Sequence, residues 1–73
     1  MKICKNRQSG KVFVYLEENG NERALMATPL GDVKPLEISL FTEPVDVEDE
    51  KRLLSRGDIT AEQYEIHREY TRE

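Results

Sequence analysis

KVFVYLEENGNERALMAT, residues 11–28, contains the clearest structural pattern in the chain. Residues 11–18 are rich in β-branched and aromatic side chains, which favours a β-strand. Asn19-Gly20 is the strongest short-range signal for a hairpin, because a type I′ turn needs a positive φ at both central residues. We therefore predict an antiparallel hairpin with a return strand over residues 21–28. Pro29 ends this strand, since proline has no N–H to donate to a ladder.

The register of this hairpin has two alternatives. A two-residue loop places Glu17 opposite Glu22, and like charges directly opposite each other are destabilising. A three-residue loop over residues 19–21 places Glu17 opposite Arg23 instead. The charges slightly favour the second register.

Two further segments extend the predicted sheet. In residues 36–41 (LEISLF) the side chains of Leu36, Ile38 and Leu40 are expected on one face and that of Phe41 on the other. Residues 1–5 add a short edge strand that turns back over residues 6–10, and its lysines would discourage unwanted pairing at the edge. Residues 1–42 are therefore predicted to form an antiparallel meander of three to four strands.

The C-terminal part, residues 43–73, predicts a hairpin of two helices. Asp46 is a suitable N-cap for a first helix over residues 47–56, after a connector that contains Pro44. Arg56 lies in the last turn of that helix. Gly57 fits the left-handed position that follows a helix.

The second helix has a more complete signal at its start. Thr60 and Gln63 match a capping box, in which each side chain accepts a hydrogen bond from the backbone N–H of the other residue. Ile59 and Tyr64 have the spacing of a hydrophobic staple. One side of this helix should therefore dock on the sheet. That side carries Tyr64, Ile66, His67, Tyr70 and Thr71.

The segment LLSRGDITAEQYE, residues 53–65, resembles the short C-terminal domain family known as SHOCT. The shared pattern is a pair of leucines, a glycine, an Ile-Thr pair and an acidic-aromatic helix start, and the resemblance extends over about residues 49–71. It implies a small helical hairpin that is appended to other domains and mediates assembly, with no established chemistry. It implies nothing about residues 1–42.

Length and composition limit the possible classes of protein. The chain has 73 residues, of which 37% are hydrophobic and 36% are charged, and its net charge is −4. No apolar run reaches the roughly 18 residues of a membrane span, and no secretory signal is visible. A chain of this length forms one small domain at most. We expect a single cytoplasmic α+β domain over residues 1–73.

Candidate catalytic and metal-binding residues are few. Cys4 is the only cysteine and His67 the only histidine. They could in principle act as nucleophile and base, but no accompanying motif supports this. The acidic residues at positions 46–50 lack the spacing of a calcium loop. We therefore expect a non-enzymatic protein with no cofactor and no metal.

The predicted sheet is apolar on both faces, and two short helices can cover only one. Val12, Val14 and Leu16 are expected beneath the helices, together with Leu36, Ile38, Leu40, Leu53 and Leu54. The other face would then expose aromatic side chains, which commonly mark a partner site. The alternative is a sheet that curls into a small barrel and buries both sets. The residues expected to contact a protein partner or a second copy are Phe13, Tyr15, Phe41, Tyr64 and Tyr70.

Binding of nucleic acid is the alternative function. Residues 1–16 contain four basic and no acidic side chains, namely Lys2, Lys5, Arg7 and Lys11. With the aromatics of the adjacent strand they could bind single-stranded nucleic acid. The overall negative charge opposes phosphate binding, so protein interaction is the preferred hypothesis.

Overall fold

A computed structural model describes residues 1–71, which form an antiparallel sheet followed by two helices. This confirms the predicted α+β class, although the sheet has one strand more than the predicted maximum. The strands are β1 (Lys2–Lys5), β2 (Val12–Glu18), β3 (Arg23–Ala27), β4 (Val33–Glu37) and β5 (Val45–Asp46), in the spatial order β4-β3-β2-β1-β5. The helices are α1 (Glu50–Arg56) and α2 (Ala61–Thr71). Residues 72 and 73 of the predicted helical segment lie outside the described residues.

The β2–β3 hairpin has neither of the predicted registers. Glu17 lies opposite Leu25, and Glu18 lies opposite Ala24. The register shifts between Tyr15 and Glu17, which is a β-bulge. The bulge lies beyond Glu17 as counted from the loop, so it shifts the pairing only from Tyr15 onwards. The pairing of Glu17 with Leu25 follows instead from a loop that begins later in the chain than either predicted one.

The turn of this hairpin also differs from the predicted type I′ geometry. The backbone N–H of Asn19 donates to the carbonyl of Arg23 at 3.0 Å. Positive φ values occur at Gly20 (76°) and Glu22 (66°), whereas Asn19 is not in the left-handed region. The hydrogen bond between Asn19 and Arg23 closes a loop of residues 20–22, which is longer than the Asn-Gly pair suggests. The second left-handed residue of this loop is Glu22.

Strand β1 is an inner strand and not the predicted edge strand, because β5 pairs with it. Lys2 lies opposite Asp46 and Ile3 lies opposite Val45. The two edges of the sheet are therefore β5, which has only two residues, and β4, which contains Pro35. A short strand and a proline both discourage further pairing at an edge.

The segment predicted as a strand over residues 36–41 changes conformation partway. Strand β4 ends at Glu37, and Ile38–Leu40 form a 3₁₀ turn. Side chains three residues apart eclipse each other in a 3₁₀ helix, so Ile38 and Phe41 point to the same side. The predicted alternation, with Phe41 opposite Ile38, is therefore wrong, and Leu40 is 50% exposed.

Two hydrophobic clusters lie on opposite faces of the sheet. The helices cover a cluster built around Val14, Ala27, Leu53 and Ile59, with Val12, Leu16 and Leu54 packed against it. The second cluster lies on the other face. It contains Cys4, Ala24, Met26 and Phe41, with Phe13, Tyr15, Leu36 and Ile38 at its margin. Leu36 and Ile38 therefore belong to the second cluster, and the prediction that they lie beneath the helices is wrong.

Helix α1 begins after the predicted start. Asp49 is its N-cap, and its side chain accepts a hydrogen bond from the backbone N–H of Arg52 at 3.1 Å. Asp46 does not cap the helix, because it belongs to β5. The predicted end is confirmed, since Gly57 has a left-handed φ of 80°.

The capping box that begins α2 is confirmed. The N–H of Thr60 donates to Oε1 of Gln63 at 2.9 Å, and the N–H of Gln63 donates to Oγ1 of Thr60 at 3.2 Å. The Gln63 side chain also reaches the sheet, where Nε2 donates to the carbonyls of Val12 (2.9 Å) and Ala27 (3.0 Å). Gln63 is only 1% exposed, so this amide is a buried connection between α2 and two strands.

In residues 1–71, neither helix has the length and apolar character needed to cross a membrane.

Replacing Gln63 with Ala should destabilise the fold strongly. The change removes the donor to two carbonyls and the acceptor for Thr60, and it leaves a cavity. Unsatisfied buried groups and lost side-chain volume together suggest a loss of about 3 kcal/mol in the free energy of unfolding. Urea denaturation measures this loss, with the exposed Gln8→Ala as the control. A loss no larger than that of Gln8→Ala would show that the amide is not important for stability.

Candidate protein-interaction face

The face of the sheet that points away from the helices carries one continuous row of side chains across four strands. Lys34 lies opposite Met26, Met26 opposite Tyr15, and Tyr15 opposite Lys2. Directly opposite residues of an antiparallel pair project from the same face. We call these four residues the tyrosine row.

The centre of this face is partly buried. Met26 is buried beneath its neighbours, whereas Phe13, Tyr15, Leu36 and Ile38 are half-buried. The face is therefore neither fully open nor sealed. Two half-buried aromatic and two half-buried aliphatic side chains remain at its surface.

Phe41 does not contribute to this surface. Its ring packs edge-on against Phe13 with the centroids 4.9 Å apart, and the residue is only 3% exposed. The 3₁₀ turn places Phe41 inside the second cluster, so the expectation of an exposed contact residue is wrong. The predicted alternative of a closed barrel is also wrong, because β4 and β5 are the two open edges of the described sheet.

The hydroxyl of Tyr15 stays protonated. Burial raises the pKa of Tyr15 above the ordinary value of 10, and the negative charge of Glu18 raises it further, as does Cys4 once its own thiol ionises. Tyr15 therefore offers a neutral ring with a hydroxyl that can donate or accept a hydrogen bond.

Two lysines bound the tyrosine row. Lys2 and Lys34 are exposed, and neither has an ion pair within residues 1–71. Asp46 on β5 lies opposite Lys2 and therefore projects from the same face, and its Oδ1 lies 3.4 Å from the amino group of Met1. Glu18 lies opposite Ala24 and also projects from this face. The margin of the tyrosine row therefore carries both basic and acidic side chains.

Tyr64 and Tyr70 lie away from the tyrosine row, because α2 packs on the opposite face. Tyr64 is half-buried in the helix-covered cluster, and the Arg68 guanidinium lies 5.8 Å from its ring centroid. The Tyr70 hydroxyl donates a hydrogen bond to the Glu17 carboxylate, which raises the pKa of Tyr70 to about 12. The five predicted contact residues therefore do not form one surface.

The predicted basic set is also divided. Lys5 and Lys11 line a depression of about 430 Å³ beside the α1–α2 connection, whereas Lys2 lies on the other face of the sheet. Arg7 uses its Nε to donate to the Phe41 carbonyl at 3.0 Å. The four cations therefore do not make one patch.

Cys4 and His67 are not brought together. Cys4 lies in the second cluster, where its thiol contacts Sδ of Met26 at 3.7 Å, and burial raises its pKa to about 11. His67 lies on α2, on the opposite side of the sheet from Cys4. Its Nδ1 is 3.3 Å from Oε1 of Glu50 on α1. This distance suits an ion pair, but Nδ1 has no hydrogen bond of good geometry. Over residues 1–71, no three metal-ligating side chains cluster together.

Sequence reasoning missed Lys34 and Gln63 as important side chains. The strand predicted in this region begins only at Leu36, so the prediction does not place Lys34 on the sheet. An edge strand tolerates a proline, and this could have indicated β4. The capping box identified Gln63 but gave no sign that its amide also reaches the sheet.

Comparison with protein-family models, with curated proteins and with solved structures finds no match to this chain. The resemblance of residues 49–71 to the SHOCT family stays a prediction, although two helices do lie in this region.

The Cys4 thiol should be almost unreactive in the folded protein. A pKa of about 11 leaves about one thiol in a thousand ionised at pH 8, and the residue is buried. Labelling with iodoacetamide should be at least about 100-fold slower than in 6 M guanidinium chloride. Mass spectrometry over time measures both rates. Equal rates would contradict the buried position of Cys4.

The hydrogen bond between Tyr70 and Glu17 should be visible in a pH titration. Absorbance at 295 nm should show Tyr70 ionising near pH 12, and Glu17→Ala should lower its pKa towards the ordinary value of 10. Because the folded-state pKa is raised, the stabilisation is complete below about pH 10 and is lost as the pH rises through about 12. Tyr70→Phe identifies the signal, and an unchanged titration in Glu17→Ala would contradict the contact.

Proposed function

We propose that this chain is a non-enzymatic interaction module that binds a protein, either a second copy or another chain, through the face that carries the tyrosine row. The observation that supports it most is a half-buried tyrosine, Tyr15, placed between two exposed lysines that form no ion pair within residues 1–71. The proposal places the module in the cytoplasm, as the composition predicts.

The chemistry of this face is typical of a protein-binding surface. Tyrosine is enriched in interfaces because it combines a large apolar ring with a polar tip and loses little conformational entropy. Leu36 and Ile38 add aliphatic surface beside it. The charged side chains at the ends of the row, with Asp46 beside Lys2, provide a polar margin around this apolar centre.

A catalytic role has less support. The one thiol is buried with a raised pKa, and the one histidine lies on the far side of the sheet. Binding of nucleic acid also has less support, because the basic side chains do not form one patch. Lys5 and Lys11 lie on the other face of the sheet from Lys2, and the Arg7 side chain donates to the backbone carbonyl of Phe41.

Replacing Tyr15 with Glu should abolish binding while leaving the fold intact. The change puts a negative charge in the half-buried centre of the row, so the dissociation constant should rise at least about tenfold. Sedimentation velocity over a concentration series measures self-association. Cross-linking in lysate of the native host, compared with Tyr15→Glu, detects another protein partner.

The matched control is Leu30→Glu, which adds the same charge at a turn residue that is 87% exposed. It should bind like the wild type. Circular dichroism checks that both variants are folded, and the smaller change Tyr15→Ala is used if Tyr15→Glu unfolds. The proposal is wrong if the wild type neither associates nor captures a protein in a Tyr15-dependent way. Salt-sensitive binding of single-stranded oligonucleotides that does not depend on Tyr15 would favour the alternative function.

A further inference from the structure

The tip of the β2–β3 hairpin contains two of the three asparagines in the chain. Asn19 and Asn21 lie on either side of Gly20, and all three residues are exposed. Within residues 1–71, neither of these two asparagine side chains has a hydrogen-bond partner. Both side-chain amides can therefore turn towards the main chain and meet the backbone nitrogen of the next residue.

The third asparagine, Asn6, is held in place. Its Oδ1 accepts hydrogen bonds from the backbone N–H groups of Gln8 and Ser9, both at 2.9 Å. This is the turn in which an asparagine side chain bonds to its own following backbone. The next backbone nitrogen is also engaged, since the N–H of Arg7 donates to the Leu40 carbonyl at 2.9 Å. Neither the amide of Asn6 nor the nitrogen beside it is available for reaction.

The backbone nitrogen of Gly20 is open to approach. Within residues 1–71, its N–H donates no hydrogen bond to another backbone group. No atom lies within 4 Å of the position that a Cβ would occupy. Glycine has no side chain to obstruct a group that approaches its backbone. Asn21 is followed instead by Glu22, whose side chain obstructs this approach. Of the three asparagines, Asn19 therefore combines an unrestrained amide with an unobstructed neighbouring nitrogen.

We propose that Asn19 is a site of spontaneous deamidation, at which the side-chain amide becomes a carboxylate. The Gly20 nitrogen loses its proton to the solvent and bonds to Cγ of Asn19. The bond between Cγ and Nδ2 then breaks, and Nδ2 leaves as ammonia after it takes a proton from the solvent. The reacting groups belong to adjacent residues, so the attack is intramolecular and needs no enzyme. The reaction does not depend on the proposed function.

Water completes the reaction by opening the cyclic imide at either of its two carbonyls. Attack at Cγ breaks the bond from Cγ to the Gly20 nitrogen and leaves an aspartate with a normal main chain. Attack at the backbone carbonyl breaks the other bond to this nitrogen, so that the main chain passes through Cγ. This second product is an isoaspartate, whose main chain is one carbon atom longer.

Both products change the end of the hairpin. Each adds one negative charge to a chain whose net charge is −4, close in sequence to Glu17, Glu18 and Glu22. The isoaspartate also inserts its additional atom into the loop that is closed by the N–H of Asn19 and the carbonyl of Arg23. The isoaspartate form, separated by ion-exchange chromatography, should therefore unfold at a lower urea concentration than the aspartate form.

Mass spectrometry of the full chain, incubated at 37 °C, tests the site. Cleavage at lysine separates Asn6 from the other two asparagines, and tandem spectra locate the new acid within each peptide. Conversion of Asn19 should be at least about tenfold faster than conversion of Asn6 or Asn21, because only Asn19 has both groups in reach. Raising the pH from about 7 to about 9 should accelerate it, because the Gly20 nitrogen attacks only after losing its proton.

The variant Asn19→Gln keeps a side-chain amide but would have to close a larger ring. Acidic forms, measured by ion-exchange chromatography, should accumulate at least about tenfold more slowly than in the wild type. The matched control is Asn21→Gln, which makes the same change two positions away and should accumulate acidic forms as fast as the wild type. Circular dichroism confirms that both variants are folded.

Two results would overturn the assignment of Asn19. The first is a wild type in which Asn19 is converted no faster than Asn21. The second is an Asn19→Gln variant that accumulates acidic forms as fast as the wild type. Equal urea midpoints for the aspartate and isoaspartate forms would overturn the expected effect on the loop.

Discussion

The buried amide of Gln63 is the interaction on which the arrangement of helices and sheet depends. Extending the pairing of Val14 with Ala27 by two residues places Pro29 opposite Val12, and proline has no N–H to offer. Gln63 donates to the Val12 carbonyl instead, and also to that of Ala27. The side-chain oxygen of Gln63 accepts a hydrogen bond from the backbone N–H of Thr60 at the start of α2. The Thr60 hydroxyl in turn donates to the Pro29 carbonyl at 3.1 Å. One side chain thus satisfies backbone hydrogen-bonding groups at the ends of two strands and at the start of α2. Leaving these buried groups unpaired would destabilise the fold.

The hydrogen bonds of Gln63 fix which face of the sheet the helices cover. Only a short 3₁₀ turn covers the other face. The 3₁₀ turn at Ile38–Leu40 brings Phe41 over the second cluster, where it shields Cys4 and contacts Phe13. Three residues of turn cannot cover four strands. Tyr15 and its neighbours therefore stay half-buried, and this partly exposed apolar surface supports the proposal that the face binds a partner.

Residues that seemed related in the sequence are separated by the sheet. The aromatics of β2 alternate with the residues under the helices, so Tyr15 and Tyr64 belong to opposite sides of the molecule. The charges are rearranged in the same way. Lys2 joins Lys34, which is 32 positions away, and separates from Lys5, which is three positions away. Position in the fold, and not position in the chain, therefore decides which charged side chains share a surface.

The sequence by itself determined the α+β class, the two strands of the first hairpin, the left-handed Gly57 and the capping box at Thr60. These features depend on residues within about four positions of one another, and their preferences act before the chain is folded. Only the tertiary structure decided the bulge in β2, the pairing of β5 with β1, the burial of Phe41 and the tyrosine row. Each of these depends on contacts between distant segments, whose energy comes from packing and from the pairing of backbone groups that no local pattern encodes.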